Sequence, residues 1–85
     1  MSSMEAKINI QLKTLSKRLC ELRENTLKED GKCLTQQDVA NMLGVRYQSY
    51  QAYERGVSYP TLQNFLKLAE IYEVSLDYLV GKSEY

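Results

Sequence analysis

The sequence predicts an all-α domain of five short helices, on three observations. Apolar residues recur at spacings of three and four along two stretches, Ile8, Leu12, Leu15, Leu19, Leu22 and Leu62, Phe65, Ala69, Tyr72, which marks one face of a helix in each. No stretch alternates apolar and polar residues as a half-buried strand does. Only four glycines and one proline interrupt the 85 residues, so unbroken helices fit the chain.

Each element has its own signals. Ser2 and Glu5 have the spacing of a capping box ahead of the first helix. Its apolar stripe faces the core, and Lys13, Lys17, Arg18, Glu21 and Glu24 fall off it. Residues 25–32 are polar, carry both charge signs and contain Gly31. The first helix is therefore expected to end between residues 24 and 30, followed by a solvated connector. Thr35 caps a second helix, with Asp38 reaching back three residues on. Val39, Ala40 and Leu43 form its apolar face. A third helix is expected over 47–54, with Gly56 as its stop. Pro60 suits the approach to a fourth helix, capped by Thr61 and carrying Leu62, Phe65, Leu66, Leu68, Ala69 and Tyr72. Ser75 caps a short fifth helix over 76–80, with Asp77 in its first turn, where a negative charge is favourable, and Gly81 ends it. The domain organisation is residues 1–11 as an N-terminal extension or the start of helix one, 12–81 as the domain, and 82–85 as a tail.

Composition narrows the function. Hydrophobic residues make up 44% and charged residues 26%, which fits one globular domain and argues against wholesale disorder. Net charge is zero, a mild count against nucleic acid, since non-specific DNA affinity comes mainly from Lys and Arg on phosphates. Hydroxyls, amides and helix N-termini also bind phosphates, so neutrality does not decide the matter. There is no histidine, and two cysteines cannot close a four-ligand zinc site. Cys20 and Cys33 are read as free thiols of a cytosolic protein. No gly-rich phosphate loop or nucleophile beside a base is present, so neither an enzyme nor a cofactor is expected. The first residues are mixed polar, so no signal peptide is expected, and no run approaches the roughly eighteen apolar residues that span a bilayer.

The most informative stretch is residues 35–55. Two helices of about two turns each meet at Gly44, the plan of a helix-turn-helix whose second helix enters the DNA major groove. Helices crossing at a sharp angle need a small residue at the contact, and Ala40 stands there. The turn needs a residue tolerant of positive φ, and Gly44 supplies it. Val39, Leu43, Val45, Tyr50 and Tyr53 fall where apolar side chains must point inward.

This stretch resembles the helix-turn-helix of the lambda-repressor-like family, the Cro and repressor (XRE-type) group. Leu34-Thr35-Gln36, Leu43-Gly44-Val45, Tyr53-Glu54-Arg55-Gly56, Pro60 and Val74-Ser75-Leu76-Asp77-Tyr78-Leu79 follow the family pattern in order, over about residues 12–81. The resemblance implies a compact five-helix DNA-binding domain with a central helix-turn-helix. It also implies roles. Arg46, Tyr47 and Gln48, with Gln51 and Ala52 one turn on, would face base edges. Gln48 can pair bidentately with adenine, and Arg46 with guanine or a phosphate. Gln36, Ser49, Arg55, Ser58, Tyr59 and Thr61 would meet the phosphate backbone, and Gln36 would also brace a recognition side chain. Arg23 and Glu54 would form an internal ion pair joining helix one to the recognition helix. The chain departs from the pattern at three places. Arg46 replaces a small capping residue, Tyr50 fills a slot usually held by Ile or Val, and the connector between Arg23 and Gln36 is longer.

The reading that follows is a sequence-specific, repressor-like transcription regulator of bacterial or phage origin, cytoplasmic and nucleoid-associated when bound. One recognition helix reads few base pairs, so a homodimer on a palindromic operator is expected. Leu76, Tyr78, Leu79 and Val80, with the tail to Tyr85, are the first candidates for its interface, and residues 4–10 the second. The alternative is a protein-interaction module of the same fold, such as an antitoxin or a regulator's partner, with DNA binding secondary. No membrane contact, metal or small-molecule ligand is expected.

Overall fold

A computed structural model describes the backbone of residues 2–82 and the side chains of residues 12–82. Five α-helices follow one another: α1 (Ser2–Glu24), α2 (Gln36–Leu43), α3 (Tyr47–Arg55), α4 (Leu62–Tyr72) and α5 (Leu76–Leu79). Among the described residues there is no strand, only an isolated antiparallel bridge between Leu27 and Cys33. The architecture is the five-helix, lambda-repressor-like one implied by the sequence. The expected capping box of Ser2 and Glu5, the side chains of residues 4–10 and Tyr85 lie outside the described residues.

The core forms where the apolar faces converge. Leu15 and Leu19 of α1, Val39, Ala40 and Leu43 of α2, Tyr50 and Tyr53 of α3, Leu68 and Tyr72 of α4, and Leu79 of α5 are buried together with Leu34. Each large side chain wholly removed from water contributes about 1.5–3 kcal/mol. Leu12 and Leu22 pack at the edge of this cluster. Helix α1 lies against α3 and α5, α2 against α3 and α4, and α4 against α5. Leu79 is therefore a core residue, 0% exposed. Its place on the inner face of α5 removes it from the candidate dimer surface.

Helix α1 ends at Glu24, well before Gly31. Its last carbonyls are satisfied by the residues that follow: Asn25 Nδ2 donates to Glu21 O at 2.8 Å, and Thr26 Oγ1 donates to Leu22 O at 2.7 Å. The connector is largely solvent-exposed, as expected, and is also held by backbone bonds. Lys28 N donates to Lys32 O at 2.8 Å and Leu34 N to Thr26 O at 3.0 Å, so residues 26–34 fold back on themselves. Gly31 sits at the tip, where its N–H meets Lys28 O at 2.9 Å. The return places Lys28 Nζ 3.2 Å from Asp38 Oδ2, at the start of α2.

The caps follow the local sequence. Thr35 and Asp38 form the reciprocal capping box of α2: Asp38 N donates to Thr35 Oγ1 at 3.0 Å, and Thr35 N to Asp38 Oδ2 at 2.9 Å. These bonds, led by the one from the Thr35 backbone, hold the Asp38 carboxyl below the usual range. Gly44 ends α2 at φ 74°, in the left-handed region, and the chain reverses into α3. Gly56 ends α3 at φ 75°, where a Cβ would also stand 3.2 Å from Ser16 Oγ on α1. Thr61 caps α4 by accepting from Asn64 N, and Ser75 caps α5 by accepting from Tyr78 N. Helix α4 ends on Glu73 at φ 55°, a left-handed position held without glycine.

Candidate nucleic-acid interface

Helix α3 is amphipathic in a way that separates structure from surface. Tyr50, Tyr53 and Glu54 are buried on its inner side. Arg46, Tyr47, Gln48 and Ser49 are exposed at its start, Gln51 and Ala52 are half-buried one turn on, and Arg55 is exposed at its end. Arg46 occupies the cap position with extended backbone and makes no side-chain capping bond. Its guanidinium cannot accept a hydrogen bond, so it leaves the first N–H groups of α3 to other partners.

The inner side of α3 is anchored by one carboxylate. Glu54 is only 8% exposed. Arg23 grips it with Nε 2.7 Å from Oε2 and Nη2 3.1 Å from Oε1, and sends Nη1 to Leu34 O at 3.1 Å. Gln36 Nε2 donates to Oε1 at 2.9 Å, and the Cys20 thiol points at the same oxygen from 3.3 Å. Helix α1, the start of α2 and α3 thus meet at a single group. Burial pushes the Glu54 carboxyl up, but hydrogen bonds from Arg23, Tyr50, Gln36 and Cys20 outweigh it and hold it below its ordinary value of 4.5. The pairing with Glu54 raises Arg23 in turn. Burial, aided by the nearby carboxylate, pushes the Cys20 thiol up to about 11, so it stays protonated and unreactive at neutral pH.

The buried Tyr50 hydroxyl serves two partners, giving its proton to Glu54 and accepting from Tyr72. Tyr50 Oη lies 2.9 Å from Tyr72 Oη, which joins α3 to α4. Burial raises both phenols, Tyr72 to about 12. Tyr50 and Tyr53 meet edge to face with ring centroids 6.1 Å apart. Asn64 Nδ2 adds a bond to Tyr53 Oη at 3.3 Å. Among the described residues no buried side-chain nitrogen or oxygen lacks a hydrogen-bond partner.

The Glu54 cluster reaches the surface through Gln36. Tyr47 Oη donates to Gln36 Oε1 at 3.2 Å, and Gln51 Nε2 donates to Tyr47 Oη at 3.3 Å. Gln36, Tyr47 and Gln51 are therefore one connected group, whereas Arg46 and Gln48 flank it on the exposed first turn. Ser58, Tyr59 and Thr61 lie in the segment before α4, with Tyr59 exposed and Ser58 half-buried. The Thr61 hydroxyl is engaged as the cap of α4. Helix α3 has one carboxylate, Glu54, and that one faces inward, so its outer face carries Arg46 and Arg55 without an acid.

A family model described as helix-turn-helix matches residues 34–79. The chain belongs to this helix-turn-helix family. Among curated proteins it is 37% identical over 71 residues to the HTH-type transcriptional regulator ImmR of Bacillus subtilis, covering 84% of this chain and 51% of that one. It is 40% identical over 48 residues to the cryptic phage CTXphi transcriptional repressor RstR of Vibrio cholerae, covering 56% of this chain and 43% of that one. It is 43% identical over 49 residues to the uncharacterized regulator YqaE of Bacillus subtilis, covering 58% of this chain and 42% of that one. The chain spans about half the length of the curated relatives it matches or less. No solved structure matches.

Within this helix-turn-helix frame, two contacts stand outside the roles expected from the sequence. Cys20 as a partner of Glu54 follows from its position three residues before Arg23, on the same face of α1, but nothing local marks the partner. The link from Tyr47 to Gln51 is an i, i+4 pair on α3 and was open to inference from spacing alone. Both cysteines are free, Cys20 half-buried and Cys33 exposed. No helix among the described residues is long and apolar enough to cross a membrane.

Proposed function

We propose that this chain is a sequence-specific DNA-binding transcription regulator, repressor-like, which reads the major groove with α3. Residues 12–81 carry the activity. The observation that carries this reading is the division of α3: its inner face is locked through Glu54, Tyr50 and Tyr53, and its outer face presents Arg46, Tyr47, Gln48 and Ser49 without a carboxylate. A helix held rigidly by its back, with amides and a guanidinium on its front, matches what base-edge recognition needs. The names of the relatives, transcriptional regulators and a phage repressor, point the same way.

Gln48 and Arg46 are the first base readers, with Gln51 and Ala52 behind them. Gln36, Ser49, Arg55, Ser58, Tyr59 and Thr61 position the phosphate backbone. The binding form is a homodimer on a palindromic operator with half-sites roughly 34 Å apart. Leu76, Tyr78 and Val80, each half-buried, remain candidates for its interface. Selection of bound sequences from a random DNA library tests the whole reading. Enrichment of a palindrome supports it, and the absence of any enrichment overturns it in favour of a protein-interaction module.

A further inference from the structure

The network beneath α3 imposes an order of donors and acceptors that runs from the buried carboxylate to the outer face. Glu54 begins it. An ionised carboxylate can only accept. Gln36, whose amide lies 2.9 Å from Glu54 Oε1, must therefore turn its NH2 inward and its oxygen outward. That oxygen stands 3.2 Å from Tyr47 Oη and takes the single proton of the hydroxyl. The Tyr47 oxygen then has acceptor capacity alone. Gln51 meets it at 3.3 Å and must do so through Nε2. Amide orientation is normally decided by such a network, and here every step is forced by the one before it.

We propose that Tyr47 is a positioning residue: its hydroxyl, held by Gln36 and Glu54, sets the direction of the Gln51 amide, so that Gln51 presents a carbonyl oxygen and an N–H side by side to an adenine edge. This rests on the DNA-reading function argued above. A glutamine whose NH2 spends one hydrogen on Tyr47 keeps its oxygen and a second N–H. That is the acceptor–donor pair that matches adenine N6 and N7. The same accounting changes the role of Tyr47. Its proton is committed to Gln36, so the hydroxyl does not donate to a phosphate or to guanine O6 and N7. Ordering Gln51 before DNA arrives also lowers the entropy lost on binding.

Tyr47→Phe removes the hydroxyl and keeps the ring. Wild type, Tyr47→Phe, Gln51→Ala and the double variant are each used to select bound sequences from a random DNA library, and binding to the selected and to scrambled DNA is then measured. Gln51→Ala is expected to relax one A·T position of each half-site. Tyr47→Phe is expected to relax that same position, with a loss of preference of about tenfold, unchanged affinity for scrambled DNA and a small change in melting temperature. The double variant is expected to be no worse than Gln51→Ala. In the free protein, the side-chain amide resonances of Gln51 are expected to lose dispersion in Tyr47→Phe. Relaxation at a different position, or additive losses, overturns the positioning role while leaving the DNA reading intact. No enrichment by wild type overturns both.

Discussion

Arg23→Ala tests whether the reader is held by its ion pair. The variant removes two of the hydrogen bonds to Glu54, at 2.7 and 3.1 Å, and the one to Leu34 O at 3.1 Å. The side chain of Glu54 is 2% exposed and that of Arg23 15% exposed, so the pair belongs to the interior. Removing one partner of such a pair costs about 3–5 kcal/mol, because the other charge stays buried. Gln36, Cys20 and Tyr50 still face the carboxylate, which places the expected loss near the lower end, about 3 kcal/mol. For a domain of this size each kcal/mol is worth roughly 4–8 °C, so melting followed by circular dichroism should fall by roughly 12–24 °C at pH 7. The pH dependence gives a second handle. In the wild type Glu54 is held below 4.5, so its contribution is complete above that pH and is lost as pH falls through the lowered folded value. Without Arg23, burial pushes the carboxyl up, and protonation then relieves the variant. The gap between the two proteins should be widest at neutral pH and should narrow as pH falls toward and below 4.5. A loss under about 1 kcal/mol, the size of an exposed pair, or a gap that does not narrow in acid, refutes the reasoning.

Gln48→Ala is expected to weaken binding to the selected site by about 1–3 kcal/mol and leave scrambled DNA unaffected, measured by fluorescence anisotropy; a uniform loss on all sequences contradicts base reading. Tyr50→Phe leaves Tyr72 Oη without its 2.9 Å partner and Glu54 without one of its donors, and is expected to cost about 1–3 kcal/mol in urea unfolding, whereas Tyr50→Phe with Tyr72→Phe should cost less than the sum of the two singles. Glu73→Gly relieves a residue at φ 55° and should raise stability by up to about 1 kcal/mol, the left-handed penalty less the greater flexibility of glycine; a lower melting temperature would show that the Glu73 side chain has a role of its own.

Most of the fold was legible because its signals are local. Thr35 with Asp38, Gly44, Gly56, Thr61 and Ser75 each act within one turn of a helix, and all of them stand where the sequence puts them. The apolar stripe of α1 was equally plain, since a period of 3.6 residues needs no knowledge of the partner. What local signals do not carry is closure in three dimensions. Residues 26–34 read as a polar connector, yet they fold back at Asp30-Gly31, a turn pair, through bonds that join Thr26 to Leu34 and Lys28 to Lys32, and the pair alone does not say which residues will meet. Leu79 reads with Leu76, Tyr78 and Val80 as a candidate dimer surface, because so short a helix gives no face to judge. It is buried because α1 and α4 both close over α5. At the interface, the exposed residues of α3 were readable from the helix-turn-helix frame. The family pattern implies that Gln36 braces a recognition side chain, but which one it meets, Tyr47, was not legible, because that depends on how far α2 stands from α3.

Charge completes the account of how such a reader would hold DNA. The chain is neutral overall, and α3 offers only Arg46 and Arg55 to phosphates. Of the nearby lysines, Lys28 is paired with Asp38 and Lys67 reaches Leu43 O at 3.5 Å. The proposed dimer would therefore bring about four cations to the backbone, and the logarithm of affinity should then fall with the logarithm of salt at a slope of roughly −4. The remaining affinity has to come from oriented neutral groups, which are worth most when they are ordered beforehand. The buried anchor at Glu54 provides that order, since it fixes both the pose of α3 and the amide of Gln36. Specific binding should then survive moderate salt while non-specific binding, which has little else to rely on, is lost. Measuring both across a salt series checks this. A slope of −8 or steeper for the selected site would mean that cations outside α3 dominate the contact, and the neutral reader would be the wrong description.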